Sequence, residues 1–288
     1  MKEIQLSGGI PRIGDYEDLI KSDSFQEMEA FSTAFLNRNK HHLEEYAKKW
    51  VSDPLHQWSR QWEYPFTYSK ITSHTAAYSP ENPKILDAGS GVTFFPYFLK
   101  TYLPHASIYC CDCDASLEST YRSINRDERQ PIGFSVSSLE DMNFENSFFD
   151  CIYCISVLEH TKNYQKIIDE FHRIMKPNGQ LIVTFDISID GNKDISPASA
   201  ERLLLDLKNR FAVNDQIIDD ILSLIKNPDI LTTRYAEKLN PALIPWKKSL
   251  SVIGQMKSLI RSGKLITFPP LFTVCCHSLT PKNPQPKG

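Results

Sequence analysis

The sequence predicts an α/β fold: a doubly wound, mostly parallel sheet with helices on both faces. Three observations carry that expectation. Between residues 84 and 186, short apolar runs alternate with amphipathic stretches. Runs that are apolar throughout belong to strands buried on both faces, which is the habit of parallel sheets. The first run passes into Ile85-Leu86-Asp87-Ala88-Gly89-Ser90-Gly91, where a strand ends in an acid and two glycines form the turn that follows. Turn-forming residues separate the elements, as in Lys176-Pro177-Asn178-Gly179.

The elements follow in order. Residues 1–82 show no strand signal, whereas apolar residues at helical spacing from Phe25 to Trp50 predict helices. An aromatic segment, Trp58 to Tyr68, precedes the turn-rich boundary Ser79-Pro80-Glu81-Asn82-Pro83. Strands are predicted at 84–88, 108–111, 134–136, 151–155 and 181–185, with a last one at 271–279. Helices are predicted from Phe94, where Pro96 suits a first turn, from Asp114, and from Tyr164 to Met175. Ser196-Pro197 reads as an N-cap and first-turn proline for a helix to Phe211, and Ile217 to Ile225 as a further helix. The predicted organisation is a helical extension or lid at 1–82, a main domain at 83–280 with a substrate-cap insertion at 235–268, and a disordered tail at 281–288.

Composition narrows the function. The chain has 288 residues, 41% hydrophobic and 23% charged, with a formal net charge of −3, and so lacks the basic field typical of nucleic-acid binders. No apolar run reaches the roughly 18 residues of a membrane span, and the N-terminus has no signal-peptide pattern, so a cytoplasmic protein is expected. The seven cysteines fall in or beside strand-like runs, where a free thiol packs as a small hydrophobe, and no metal site is expected.

The glycine turn alone serves any adenosine cofactor, NAD included, because glycine admits close backbone approach and the next helix start presents free N–H groups. Asp112 stands 21 residues after Gly91, where an acid can accept hydrogen bonds from a ribose. Capping of the next helix by Asp112 or Asp114 is the plainer alternative.

The stretches Phe134 to Phe144, Asn146 to His160 and Glu170 to Leu181, with the turn at 85–91, resemble class I S-adenosylmethionine-dependent methyltransferases that act on small molecules. The resemblance covers residues 84–186, and 271–279 more loosely. It implies a Rossmann-like, seven-stranded sheet and S-adenosylmethionine as cofactor. It also implies that Asp87, Gly89 and Gly91 lie against the methionine and ribose, and that Asp112 holds the ribose hydroxyls. Ser138 and Leu139 would contact adenine, and Ile155 and Ser156 would approach the methionine moiety. Two departures stand out: Thr93 replaces the family's third glycine and Ser138 its usual acid. The first disfavours a pyrophosphate-cradling loop, since S-adenosylmethionine has no pyrophosphate.

The sulfonium is an activated methyl donor, so the protein must align an acceptor and exclude water. For a hydroxyl acceptor, a base just beyond the fourth strand would help, and His160 is the candidate, with local packing as the alternative. Arg60 is expected to pair with the methionine carboxylate from a lid formed by residues 60–65, with Tyr64 nearby. Phe94, Phe95, Tyr97, Trp58, Trp62 and Trp246 are expected around an apolar mouth. Lys247, Lys248, Lys257 and Arg261 read as a solvated helix face, or else as a site for an acidic substrate or carrier protein. The expected partner is a partly hydrophobic small molecule whose hydroxyl oxygen is methylated. Carbon or nitrogen methylation of a quinone, lipid or amine is the alternative. A non-catalytic scaffold and a nicotinamide oxidoreductase are the competing classes.

Overall fold

The computed structural model describes residues 6–78, 81–191, 195–213, 221, 223–244 and 271–282. Its centre is a six-stranded sheet: β1 (Lys84–Ala88), β2 (Ser107–Asp112), β3 (Gly133–Val136), β4 (Phe149–Ile155), β5 (Met175–Ser188) and β6 (Phe272–Leu279). The strand order is β3-β2-β1-β4-β5-β6, parallel except for β6, which runs antiparallel to β5. Six strands are therefore found among the described residues, where seven were expected.

Nine helices can be numbered among the described residues. Ahead of the sheet lie α1 (Ile13–Ile20), α2 (Asp23–Arg38), α3 (Lys40–Lys49) and α4 (Arg60–Tyr78). Between strands come α5 (Phe95–Tyr102), α6 (Leu117–Asp127) and α7 (Tyr164–Ile174), followed by α8 (Pro197–Lys208) and the short α9 (Thr233–Leu239). Local chemistry sets several of their starts. The Ser22 and Ser196 hydroxyls accept from the backbone N–H groups of Phe25 and Ser199, each at 3.2 Å, and Pro197 opens α8.

Both sheet faces are covered, which explains the unbroken apolar character of the central strands. On one face Ile85, Cys110 and Tyr153 pack beneath Phe66, Ile71, Phe95 and Phe98 of α4 and α5. On the other, Leu86, Ile152, Cys154 and Val183 meet Ile168 and Phe171 of α7 and Leu203 and Leu204 of α8. All seven cysteines are free, and all but Cys113 are buried. The turn at Lys176–Gly179 does not separate α7 from a shorter strand. It bulges out of β5, so that Phe149 pairs with Met175 while Cys151 pairs with Gln180. Asp150 braces this point, accepting from Lys84 N at 2.9 Å and Lys176 Nζ at 2.8 Å.

The aromatic segment differs from its expected role. Trp58, Trp62, Phe94, Phe95 and Tyr97 are core residues, each no more than 3% exposed, and form no apolar mouth. Large rings bury more area between α4, α5 and the sheet than they could at a wet rim. From Arg60 onward the segment is the first turns of α4, packed on the sheet, and not a surface flap. The expected helix at 217–225 lies mostly outside the described residues, as does the insertion at 235–268 beyond residue 244, with Pro245, Trp246 and the basic face at 247–264. Of the tail expected to be disordered at 281–288, the described Pro281 and Lys282 are instead held against Phe211 and Arg210.

Candidate functional site

The chain adds β2 and β3 to one side of β1, then crosses to place β4 and β5 on the other. Open α/β sheets form a crevice where the order reverses, beyond the carboxyl ends of the strands. A cavity of about 890 Å³ occupies that place. All ten residues singled out from the sequence line it: Arg60, Asp87, Gly89, Gly91, Asp112, Ser138, Leu139, Ile155, Ser156 and His160.

The glycine turn is built by backbone constraints. Gly89 and Gly91 have φ of 76° and 51°, in the left-handed region. A Cβ on Gly89 would come within 2.8 Å of Val157, and one on Gly91 would strike the Tyr46 hydroxyl. The N–H groups of Gly89 and Ser90 donate to the Cys111 carbonyl at 2.9 and 3.0 Å. From α6, the Tyr121 hydroxyl donates to the Gly91 carbonyl at 2.7 Å, and its ring stacks on Phe134.

Two acids face the cavity in different states. Asp112 accepts from Gly91 N through one oxygen and from Asp114 N through the other, both at 3.0 Å. Each oxygen keeps a lone pair, which suits a pair of vicinal hydroxyls. Asp87 is buried at the end of β1, and burial pushes its pKa up to about 8, with Asp112 adding to the rise; Tyr153 and Arg60 act against it. A buried carboxyl of this kind gains its missing stabilisation from a cationic ligand group. The Asp112 acceptor oxygens, the close-approach glycines and the under-compensated acid together fit an adenosine cofactor bearing a positive amino-acid portion.

At the ends of β4 and β5 a buried polar network holds Arg60. Glu63 is completely buried; it pairs with Arg60 and accepts from the hydroxyls of Ser156, at 2.7 Å, and Thr184. Arg60 also donates to Ser156 Oγ. Burial alone would weaken the guanidinium charge, and the Glu63 carboxylate restores it. Ser156 adopts a left-handed φ of 47°, unusual outside glycine, with its N–H fixed on the Thr184 carbonyl at 3.0 Å. Close by, burial raises the pKa of Glu159, and one of its carboxylate oxygens has no hydrogen-bond partner.

Several lining residues escaped the sequence reading. Tyr46 and Lys49 of α3, then Trp50, Val51, Pro54 and Gln57, cover the cavity. Burial raises the Tyr46 pKa, and its hydroxyl is hydrogen-bonded to the Val92 backbone. Lys49 pairs with Asp114 at 2.6 Å across the rim. No motif marks these residues, and only the docking of α3 beside α6 brings them to the cofactor turn.

Fold and cavity together define a Rossmann-like α/β protein with a crevice at the strand-order reversal. A family model described as a methyltransferase domain matches residues 86–183. The chain is 28% identical over 133 residues to a glycine/sarcosine/dimethylglycine N-methyltransferase of Actinopolyspora halophila, covering 44% of this chain and 23% of that one. It is 25% identical over 211 residues to a tRNA U34 carboxymethyltransferase of Ruthia magnifica subsp. Calyptogena magnifica, covering 66% and 63%. The chain thus spans less than two thirds of the length of either relative. A solved phosphoethanolamine N-methyltransferase 2 of Haemonchus contortus, in complex with S-adenosyl-L-methionine, superposes with TM-score 0.42 at 14% identity, over 74% of this chain and 52% of that one. A SAM-dependent methyltransferase from Aquifex aeolicus gives 0.40 at 16% identity, over 49% and 80%. What the comparisons show is thus a match of residues 86–183 to a methyltransferase domain. Among the described residues, no helix is long and apolar enough to cross a membrane.

Proposed function

We propose that this protein transfers a methyl group from S-adenosylmethionine to a small-molecule acceptor, with a hydroxyl oxygen as the receiving atom. The observation that carries the reading is the convergence of Asp87, Asp112, the glycine turn and His160 on one cavity. In it, Asp87 meets the cofactor's ammonium group, Asp112 the ribose hydroxyls, and Ser138 and Leu139 the adenine. Ile155 and Ser156 flank the methionine chain, and Arg60, steadied by Glu63, receives its carboxylate in a charge-assisted pair. When bound, the cofactor supplies a methyl group already activated by the sulfonium. The protein's part is to hold the acceptor in line and keep water out. His160, on the 3₁₀ turn Leu158–His160 at the cavity wall, takes the hydroxyl proton as the new bond forms.

The test follows labelled methyl transfer from S-adenosylmethionine to a panel of hydroxylated and amine metabolites. Transfer to a hydroxyl, reduced at least about tenfold by His160→Ala, supports the reading. Transfer to an amine at a rate independent of His160 would replace the acceptor and keep the cofactor site. Transfer to tRNA alone would overturn the small-molecule assignment. S-adenosylhomocysteine should raise the melting temperature and NAD should not, which separates this reading from a nicotinamide enzyme. Cofactor binding without transfer to any acceptor class would leave the scaffold reading.

A further inference from the structure

We propose that His41, His42 and Asp127 form a binding site for a divalent transition-metal ion of the zinc class, and that the bound ion clasps α3 to α6. The site is separate from the cofactor cavity and does not depend on the identity of the methyl acceptor.

Convergence is the first argument. His41 and His42 are neighbours in the first turn of α3, and successive helical residues normally project about 100° apart. Here their ring centroids lie only 3.7 Å apart. Both Nε2 atoms face the same Asp127 oxygen at the end of α6, at 3.8 Å from His41 and 2.7 Å from His42. The three candidate ligand atoms lie within 4.8 Å of one another.

Ligand chemistry is the second. Two imidazoles and one carboxylate form a zinc-type donor set, with a fourth position open to water. Bonds of about 2.0–2.1 Å to a tetrahedral ion place neighbouring ligand atoms roughly 3.3 Å apart. The two observed separations bracket that length, so small side-chain rotations suffice. His41 and Asp127 are 64% and 51% exposed, which leaves an entry path and freedom to adjust.

Position gives the site a consequence. α3 carries Tyr46 and Lys49, which cover the cofactor cavity, and α6 opens with Leu117 on its wall. The links now joining α3 and its N-terminal junction to the domain include Lys49–Asp114, Arg38–Glu128 at 3.3 Å and Asn39–Glu128 at 2.8 Å. Lys49 and Arg38 are more than half exposed, and ion pairs of that kind hold weakly. An ion that needs ligands from both helices binds only when they are together, so its affinity adds to their docking.

The experiment uses the tag-free 288-residue chain treated with a chelator and then titrated with zinc chloride by calorimetry. One ion per chain, bound at micromolar Kd or tighter with a rise in melting temperature, is expected. His42→Ala and Asp127→Asn, checked as folded by their melting temperatures in chelator, should each weaken binding by at least about 50-fold. Zinc should also tighten S-adenosylhomocysteine binding several-fold in the wild-type protein and not in Asp127→Asn. Absence of binding, or binding that both variants keep, overturns the site. Stoichiometric binding at these residues with unchanged S-adenosylhomocysteine affinity overturns the clasp.

Discussion

The cassette from β1 to β5 and the N-terminal extension reach the same cavity by different physical routes. The cassette presents its groups on strand ends and tight turns: Asp87 is the last residue but one of β1, Asp112 closes β2, and Ser156 follows β4. Their positions follow from short-range rules of strand length and turn geometry. The extension delivers Tyr46, Arg60 and Tyr64 from helices, held there by partners far along the chain. Glu63 bonds to Ser156 and Thr184, 93 and 121 residues away. One region thus presents acids held by local turns, and the other presents Arg60 from a buried charge network of long-range partners. Acids in the two regions should therefore fail differently.

The largest contrast is expected between Glu63 and Asp87. Glu63→Ala strands the Arg60 guanidinium and two buried hydroxyls, and breaking such a pair costs about 3 kcal/mol or more. For a chain of this size that lowers Tm by roughly 10 °C, measurable by thermal melting. Asp87→Asn should instead leave the ligand-free fold intact while weakening S-adenosylhomocysteine binding by roughly 30- to 100-fold, the size of a lost charge-assisted bond. If Asp87→Asn unfolds the protein while Glu63→Ala only weakens binding, the division of labour is reversed.

Acidity sharpens the same comparison. Asp87 holds its proton to about pH 8 when folded, against an ordinary value of 3.8. The folded state therefore binds the extra proton, and Asp87's contribution to stability is lost as pH rises from about 4 to about 8. Ligand affinity should move the opposite way, since a cationic ligand favours the ionised acid: S-adenosylhomocysteine should bind more tightly as pH climbs from 6 to 8. Calorimetry on Asp87→Asn across that range should show a flatter profile. The smallest effect belongs to the rim: Lys49→Ala removes an exposed partner of Asp114 and should change cofactor affinity by no more than about two- to threefold. A tenfold loss would mean that α3 is a principal binding element.

Much of the cassette was legible in the sequence, and the reason is physical. A strand buried on both faces has to be apolar along its length, as Cys151-Ile152-Tyr153-Cys154-Ile155 is, and a turn with positive φ calls for glycine, as at 89 and 91. The aromatic segment before the cassette was not legible in this way. Its density fits a lid or a core equally well, and only the partners of Trp58, Trp62 and Phe66 decide between them. Tyr46 and Glu63 carried no signal of their particular partners: a tyrosine and a glutamate on helices have many uses, and theirs were assigned by contacts across the fold. The pair His41-His42 was likewise silent until the end of α6 brought Asp127 beside it.

By itself, then, the sequence determined the sheet, the glycine turn and the two strand-end acids, because each is written in residues adjacent along the chain. Tertiary structure alone decided that α3 lines the cavity, that Arg60 is clamped by Glu63 and Ser156, and that α3 and α6 meet at a shared carboxylate. Those arrangements depend on which distant surfaces exclude water together, and local residue order does not encode that.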